Sequence, residues 1–461
     1  MKRVLTLLVA AIMLCSIDVV AQSRSSYFME GSYFRNDFNP AITPTRGYIA
    51  LPAMSGLGMN MSTNFLSIDN FLYQRNGEVV TALHGAVSTE EFLGKLPSVG
   101  KLSANLKTNI LGVGFYVKKS YWTFGLNANV SADMAMSMDV FKALKSLGNG
   151  VYNLGDTALE ADAYMDAYIG TSFRVCDFIN VGVKAKFLVG IANARGQFSQ
   201  LYADVLPESV SGQLRGTLRA SGIFIDNSTV QGGSELPLDQ AIVTDPSYML
   251  SNFKNYGFAL DLGAEVRLLD DNLKLSAAIT DLGFIKWSAG SHISGSVVGD
   301  FYYKGFNFET QEADADGSFE MIVDDPSGNK GYSSMLNCSL NIGAEYNILN
   351  NHIAFGLLSH TKFCNTMTYS ELTASVNFRP TNWLSATVSH TFLNHNKFGI
   401  FGFALNIHPR VINIYVGADF IGMRRVPGPA ALPVSLPRYN KSFNVYAGIG
   451  FNFGRPKFMR E

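Results

Sequence analysis

From Ala161 to Ile191 the chain alternates apolar and polar side chains almost without interruption, and no other feature constrains the fold as tightly. Ala161, Ala163, Met165, Ala167, Ile169, Phe173 and Val175 alternate with Asp162, Tyr164, Asp166, Tyr168, Gly170, Ser172 and Arg174. After a break at Cys176-Asp177-Phe178, the residues Val181, Val183, Ala185, Phe187, Val189 and Ile191 alternate with Asn180, Gly182, Lys184, Lys186 and Gly190. A period of two puts the two sets on opposite faces of an extended strand. Similar runs occur over 122–131, 257–268 and 442–453. They are longer than the roughly five or six residues usual in soluble sheets.

The two faces meet different surroundings. The polar face is rich in Gly, Ser, Asn and Tyr with charges of both signs, as the lumen of a barrel requires. Only 16% of the residues are charged, against roughly 25% in soluble domains, and the mean hydropathy is +0.11. The 36 Lys and Arg balance 37 Asp and Glu, which leaves no basic excess for nucleic acid. Beyond residue 21 no run approaches 18 consecutive apolar residues, so helical membrane spans are excluded. A soluble sandwich also alternates, but the strand length and the lumen-like face favour a closed barrel, which satisfies every backbone group in lipid. The pattern predicts an all-β fold: a transmembrane antiparallel β-barrel over residues 46–453 with about 14 strands, an even count being usual.

Residues 1–21 combine Lys2 and Arg3, an apolar run from Val4 to Cys15, and Val19-x-Ala21. They read as a secretory signal peptide. Cys176, Cys338 and Cys364 then remain, an odd and widely spaced set that makes no disulfide framework and no zinc site. Cys176-Asp177-Phe178, Asp270-Asp271-Asn272 and Asn350-Asn351 read as tight hairpin turns. The stretches 64–100, 139–160, 226–255 and 306–331 read as external loops or lumen inserts, with a short helix over 140–148 ending at Gly148. Trp122, Trp287 and Trp383 are candidates for interfacial girdles.

Charged residues on a lipid face would cost about 2–4 kcal/mol each near the midplane. Asp162, Asp166, Arg174, Lys184 and Lys186 are therefore expected to face the lumen, the first three opposite the two lysines if the hairpin turns near Asp177. Asp261, Glu265 and Arg267 form a second inward row. No catalytic constellation stands out. Ser359-His360 and Ser389-His390 are neighbours on strands and point to opposite faces, and neither a nucleophile elbow nor a His-Glu-x-x-His occurs. Asp314, Asp316 and Glu320 open like a calcium loop. The twelfth position from Glu312 is Val323 rather than the required Glu, so an acidic loop without a bound metal is expected. No cofactor is implied.

Three motifs carry a family resemblance: Phe38-Asn39-Pro40-Ala41 ahead of the first strand, GFALDLGAEVRL followed by LKLSAAITDLGFIKW over 257–287, and the alternating FNVYAGIGFNFG over 443–454. Together they resemble the FadL-type outer-membrane barrels, particularly Bacteroidota relatives that include the PorV and PorQ proteins of type IX secretion. The resemblance implies that residues 22–45 form a hatch inside the lumen, holding Asn39, Pro40 and Ala41. It also implies a strand kink at Asp281, Leu282 and Gly283. Independently, Pro40 lacks a donor and drives Asn39 into an extended form, while Asp281-x-Gly283 suits a bulge. Ile42 follows the Asn-Pro-Ala where fatty-acid transporters commonly carry Gly, and a tail over 454–461 follows the last outward aromatic.

These readings place the chain in the outer membrane of a Gram-negative bacterium. One expected function is passive uptake of a hydrophobic or amphipathic small molecule past the hatch, with an apolar pocket beside it. The other is a non-transporting scaffold that binds secretion-system or surface proteins, with a plugged lumen.

Overall fold

The structure, a computed structural model, describes residues 24–454 except 53–55, 76–77, 83, 146–147, 207–208, 227–234, 238–242, 244, 308–311, 325–330, 366–367, 394–395, 422–424, 428–434 and 438–441. The expected signal peptide, residues 22–23 of the hatch and all of the tail but Gly454 lie outside the described residues.

Fourteen wall strands follow one another around the barrel among the described residues. They are β1 (Gly47–Ala50 and Leu57–Thr63), β2 (Val99–Val117), β3 (Ser120–Ser137), β4 (Gly148–Cys176), β5 (Ile179–Leu206), β6 (Ser209–Gly222 and Tyr256–Leu268), β7 (Leu273–Trp287 and His292–Asn307) and β8 (Glu312–Val323, Tyr332–Met335 and Cys338–Ile348). The rest are β9 (Ile353–Phe363), β10 (Thr368–Thr381), β11 (Leu384–Leu393), β12 (Asn396–Ile407), β13 (Ile412–Ile421) and β14 (Ser442–Phe453). Each pairs antiparallel with its sequence neighbours, and β14 returns to both pieces of β1, closing the wall. Closure leaves this part of the sheet without a free edge.

The alternation read from the sequence sorts the faces. Phe124, Ile169, Phe187, Phe258, Phe355 and Phe403 stand exposed on the outside, while Asn127, Asp166, Lys184, Asp261, Asn341 and Asn377 are buried inside. An apolar belt of this size on every strand has to meet an apolar medium. At one end the hairpins turn tightly, at Asp177–Phe178, Leu269–Asn272 and Leu349–His352. Positive φ at Asp270, Asp271, Asn350 and Asn351 suits residue types that tolerate the left-handed region.

At the other end the wall does not stop at the belt. β4 and β5 run for 29 and 28 residues, which is roughly 90 Å at about 3.3 Å per residue; a spanning strand needs only about 9–11. With the first piece of β6, the second of β7 and the first of β8 they make a projecting sheet. Its packing rests on Leu154, Leu201, Ala203 and Val205 in one cluster and Ile293, Val297, Met321 and Val323 in another. This corrects the expected loops. Residues 148–160 and 312–323 are strand, and the helix spans Asp139–Lys145, with Gly148 opening β4. Acidic residues alternating with Ala make the first piece of β8 read as a loop in the sequence. Trp287 is likewise fully buried on the inner face, its Nε1 donating to Ser334 Oγ at 2.8 Å, so it belongs to no exposed girdle.

If the belt faces lipid, Phe258→Arg will cost about 2–4 kcal/mol in phospholipid vesicles. Tyr202→Arg, on the projection, will stay within about 0.5 kcal/mol. Denaturant titration of both variants against the parent checks the contrast.

Candidate functional site: the plugged lumen

Residues 24–45 lie inside the barrel, nearer the tight-turn end. Two short 3-10 turns, Arg24–Ser26 and Tyr33–Asp37, fold the segment, and the Ser32 hydroxyl accepts from Phe34 N to cap the second. Asn39 is fully buried. Its carboxamide oxygen accepts from Ala41 N at 2.9 Å, folding the chain around Pro40, and its Nδ2 donates to Ala264 O of β6 and Ala277 O of β7 at 3.2 and 3.4 Å. Pro40 O accepts from the Ser172 hydroxyl of β4. The wall makes room by omission: a Cβ on Gly182 would lie 2.2 Å from Pro40 C, and one on Gly263 2.0 Å from Asn39 Oδ1. The inward glycines noted in the sequence are thus the seat of the segment.

Aromatic rings then fill the lumen. Tyr33 stacks on Tyr48 with centroids 4.4 Å apart, and Phe34 stacks on Tyr415 at 5.0 Å. Met29, Tyr121 and Tyr446 join them in one buried cluster. Tyr27, Phe28, Ile42 and Leu358 form a second.

Ion pairs fix the rest. The Asp37 carboxylate meets Lys184 of β5 at 3.0 Å and Lys107 of β2 at 3.1 Å. Glu30 meets Arg379 of β10 at 3.2 Å and Lys274 of β7 at 3.8 Å, and accepts from Asn351 Nδ2 at 2.7 Å. Burial alone would raise the Glu30 carboxyl, but Lys274 and Arg379 outweigh it and hold the group at about 2.

The lumen charges do not pair as expected. Asp162 and Asp166 face amides, from Asn193 at 2.6 Å and from Asn127 and Asn129 at 2.9 and 2.6 Å. Register explains this: the hairpin sets Lys184 opposite Gly170 and Lys186 opposite Tyr168, while Asp166 lies further along opposite Leu188 and Asp162, past a one-residue shift at Tyr164, opposite Asn193. Arg174 is exposed at the tight-turn mouth beside Asp177, and Arg267 pairs with Glu265 along its own strand at 2.7 Å. Lys184 goes to the N-terminal segment. Lys186, two residues on and on the same face, bridges Asp261 at 2.8 Å and Asp281 at 2.6 Å.

Asp281 sits in an irregularity of β7. Leu260 pairs with Leu282 but Leu262 with Ile279, so one extra residue is accommodated, and Asp281 takes φ +59°. Asp261 Oδ1 accepts from Asp281 N at 2.8 Å. The left-handed residue is Asp281 itself, whereas Gly283 is needed because a Cβ there would lie 2.2 Å from Phe258 O. On its other side β7 pairs with β8 up to Thr280–Ser339 and again from Phe284–Met335, and the residues between are joined by Leu336 N to Gly283 O at 2.9 Å. A lumen cavity of about 110 Å³ reaches this interruption, lined by Thr280, Asp281, Leu336 and Ser339 on one side and by Phe34, Asp37 and Phe38 on the other. Small-molecule sites occupy about 300–1,000 Å³. The expected apolar pocket is therefore replaced here by a small space of mixed character, which Lys107, Asp162, His360 and Lys362 also line.

His360 is inside against Asn341 at 2.7 Å, and His390 is outside between Phe392 and Phe401. Asp314, Asp316 and Glu320 lie on strand β8 rather than on a loop, and Asp316 and Glu320 are exposed. Among the described residues no group of His, Cys, Asp or Glu is placed to hold a metal ion.

The profile of a family of unknown function, DUF5723, matches residues 40–419, over four-fifths of the chain. The chain belongs to that family. The match begins at Pro40, within the seated turn, and ends at Asp419, whose carboxylate accepts from Ser25. No curated protein matches the sequence. Among solved structures, the chain is similar to the toluene transporter TodX of P. putida, at 12% identity over 94% of this chain and 98% of that one with a TM-score of 0.41. The Ralstonia pickettii toluene transporter TbuX gives 9% identity, 95% and 100% coverage and 0.40. A FadL homologue of Pseudomonas aeruginosa gives 11%, 94% and 98%, and 0.40.

Asp37→Ala will leave Lys184, 2% exposed, without its carboxylate and cost about 3–5 kcal/mol; Asp37→Ala with Lys184→Met will recover part of that loss in the same denaturant titration. A carboxyl held below its unfolded value stabilises above that value and loses its contribution as pH falls through the folded one. Hydrogen exchange over residues 27–33 will therefore be faster in Glu30→Gln than in the parent at pH 7, and the gap will close as pH falls from 4.5 towards about 2.

Proposed function

We propose that the protein is an outer-membrane barrel of a Gram-negative bacterium that admits hydrophobic or amphipathic small molecules passively, with residues 24–45 as a hatch. Its tight-turn end would then face the periplasm and its projecting sheet the outside. The observation that carries the reading is the contact of the lumen cavity with both the N-terminal segment and the interrupted β7–β8 ladder. A molecule entering from the projecting side would meet a sealed floor and a weak point in the wall. Displacement of Phe34 and Phe38 would enlarge the cavity towards the rings of Tyr27, Tyr415 and Tyr446, which they now cover. The resemblance of Asn39-Pro40-Ala41 and Asp281-Leu282-Gly283 to the FadL pattern supports the same roles.

The projecting sheet favours a second reading, a non-transporting scaffold that holds secretion-system or surface proteins. The two separate in cells whose lipopolysaccharide leaflet excludes a labelled hydrophobic compound. A transporter will raise its uptake, and Asp281→Val, which puts a β-branched residue at positive φ, will lower that uptake severalfold while Asp281→Asn retains it. Uptake no higher than in cells without the barrel would exclude transport and leave the scaffold.

A further inference from the structure

Beyond the N-terminal segment, at the tight-turn mouth, a second cavity of about 780 Å³ opens between the turns that follow β8, β10 and β12. That volume falls within the range of small-molecule sites. Its charge is one-sided: Arg46, Arg379 and Arg410 line it with the carboxylate of Glu30, and because Arg379 is already held by Glu30 and Glu345, Arg46 and Arg410 are left to meet an anion. Arg46 Nη1 donates to Arg410 O at 3.1 Å, bringing these two arginine-bearing segments together at the rim. Trp383, 48% exposed, and Ile407 give the cavity an apolar side. The decisive residue is Ser385. It is 1% exposed and lines the cavity, and its hydroxyl has no hydrogen-bond partner among the described residues. Buried hydroxyls are nearly always partnered, so this one can donate to a ligand oxygen that reaches it.

We propose that this mouth binds a small organic anion. Its carboxylate or phosphate pairs with Arg46 and Arg410, its apolar body lies on Trp383, and one of its oxygens accepts from Ser385. Guanidinium groups suit either acid. The site lies across the N-terminal segment from the lumen cavity and does not depend on the uptake reading.

Calorimetric titration of the full barrel in zwitterionic detergent tests it with phenyl phosphate, benzoate, inorganic phosphate and uncharged benzyl alcohol. The proposal expects saturable binding of phenyl phosphate or benzoate, weaker binding of inorganic phosphate and none of benzyl alcohol; the preferred aryl acid tells carboxylate from phosphate. Arg46→Gln with Arg410→Gln will weaken that binding at least about tenfold, and Ser385→Ala will weaken it severalfold. Arg215→Gln, exposed on the projecting sheet, will leave it unchanged. A barrel that keeps its heat-modifiable mobility yet binds neither aryl acid would overturn the proposal. So would affinity undiminished in the double arginine variant.

Discussion

Everything in this structure follows from a wall that sends its apolar side chains outward. Fourteen strands enclose a lumen wider than inward side chains alone can fill, and the polarity rule denies that lumen an ordinary core. The N-terminal segment supplies one. It brings Met29 and Tyr33 into contact with inward Tyr48, Tyr415 and Tyr446, sets Tyr27 and Phe28 against inward Leu358, and neutralises Lys107, Lys184 and Arg379 with two carboxylates. Inward Lys107, Lys184 and Lys274, which the barrel could not turn towards lipid, thereby become points of attachment.

Strand β5 joins the two unusual features of the lumen. Lys184 holds Asp37 of the segment, and Lys186 holds Asp281 at the irregularity of β7. They stand two residues apart on one face, and Gly182, two residues further down, is where Pro40 rests. A displacement of the segment therefore bears on the strand that also fixes the weak point of the wall. The coupling is physical adjacency through a rigid strand.

The sequence made the wall legible because period-two alternation carries the burial pattern directly, and residues such as Phe187 and Lys184 allow only one register. Tight turns at Asp177 and Asn350-Asn351 were equally plain, since their residue types fit the backbone required. Pairing inside the lumen was not. The register set by the turn at Asp177–Phe178 puts Lys184 and Lys186 opposite Gly170 and Tyr168, so Asp162 and Asp166 lie further along β4 and take amide partners instead. Nor does a sequence show that Lys184 will prefer a carboxylate nearly 150 residues earlier. The projecting sheet was missed because, beyond the belt, neither face meets lipid and alternating Ala and Asp reads as loop. Ser385 could not have been singled out at all. Its significance is an unmade hydrogen bond, which exists only in three dimensions.

The central claim is that the barrel is closed by its own N-terminal segment, and single-channel conductance in planar bilayers tests it most directly. The account predicts that the intact barrel passes no steady ion current, and that a folded barrel lacking residues 24–45 opens a stable ohmic pore. A steady current through the intact barrel, or silence from the folded deletion variant, would contradict it.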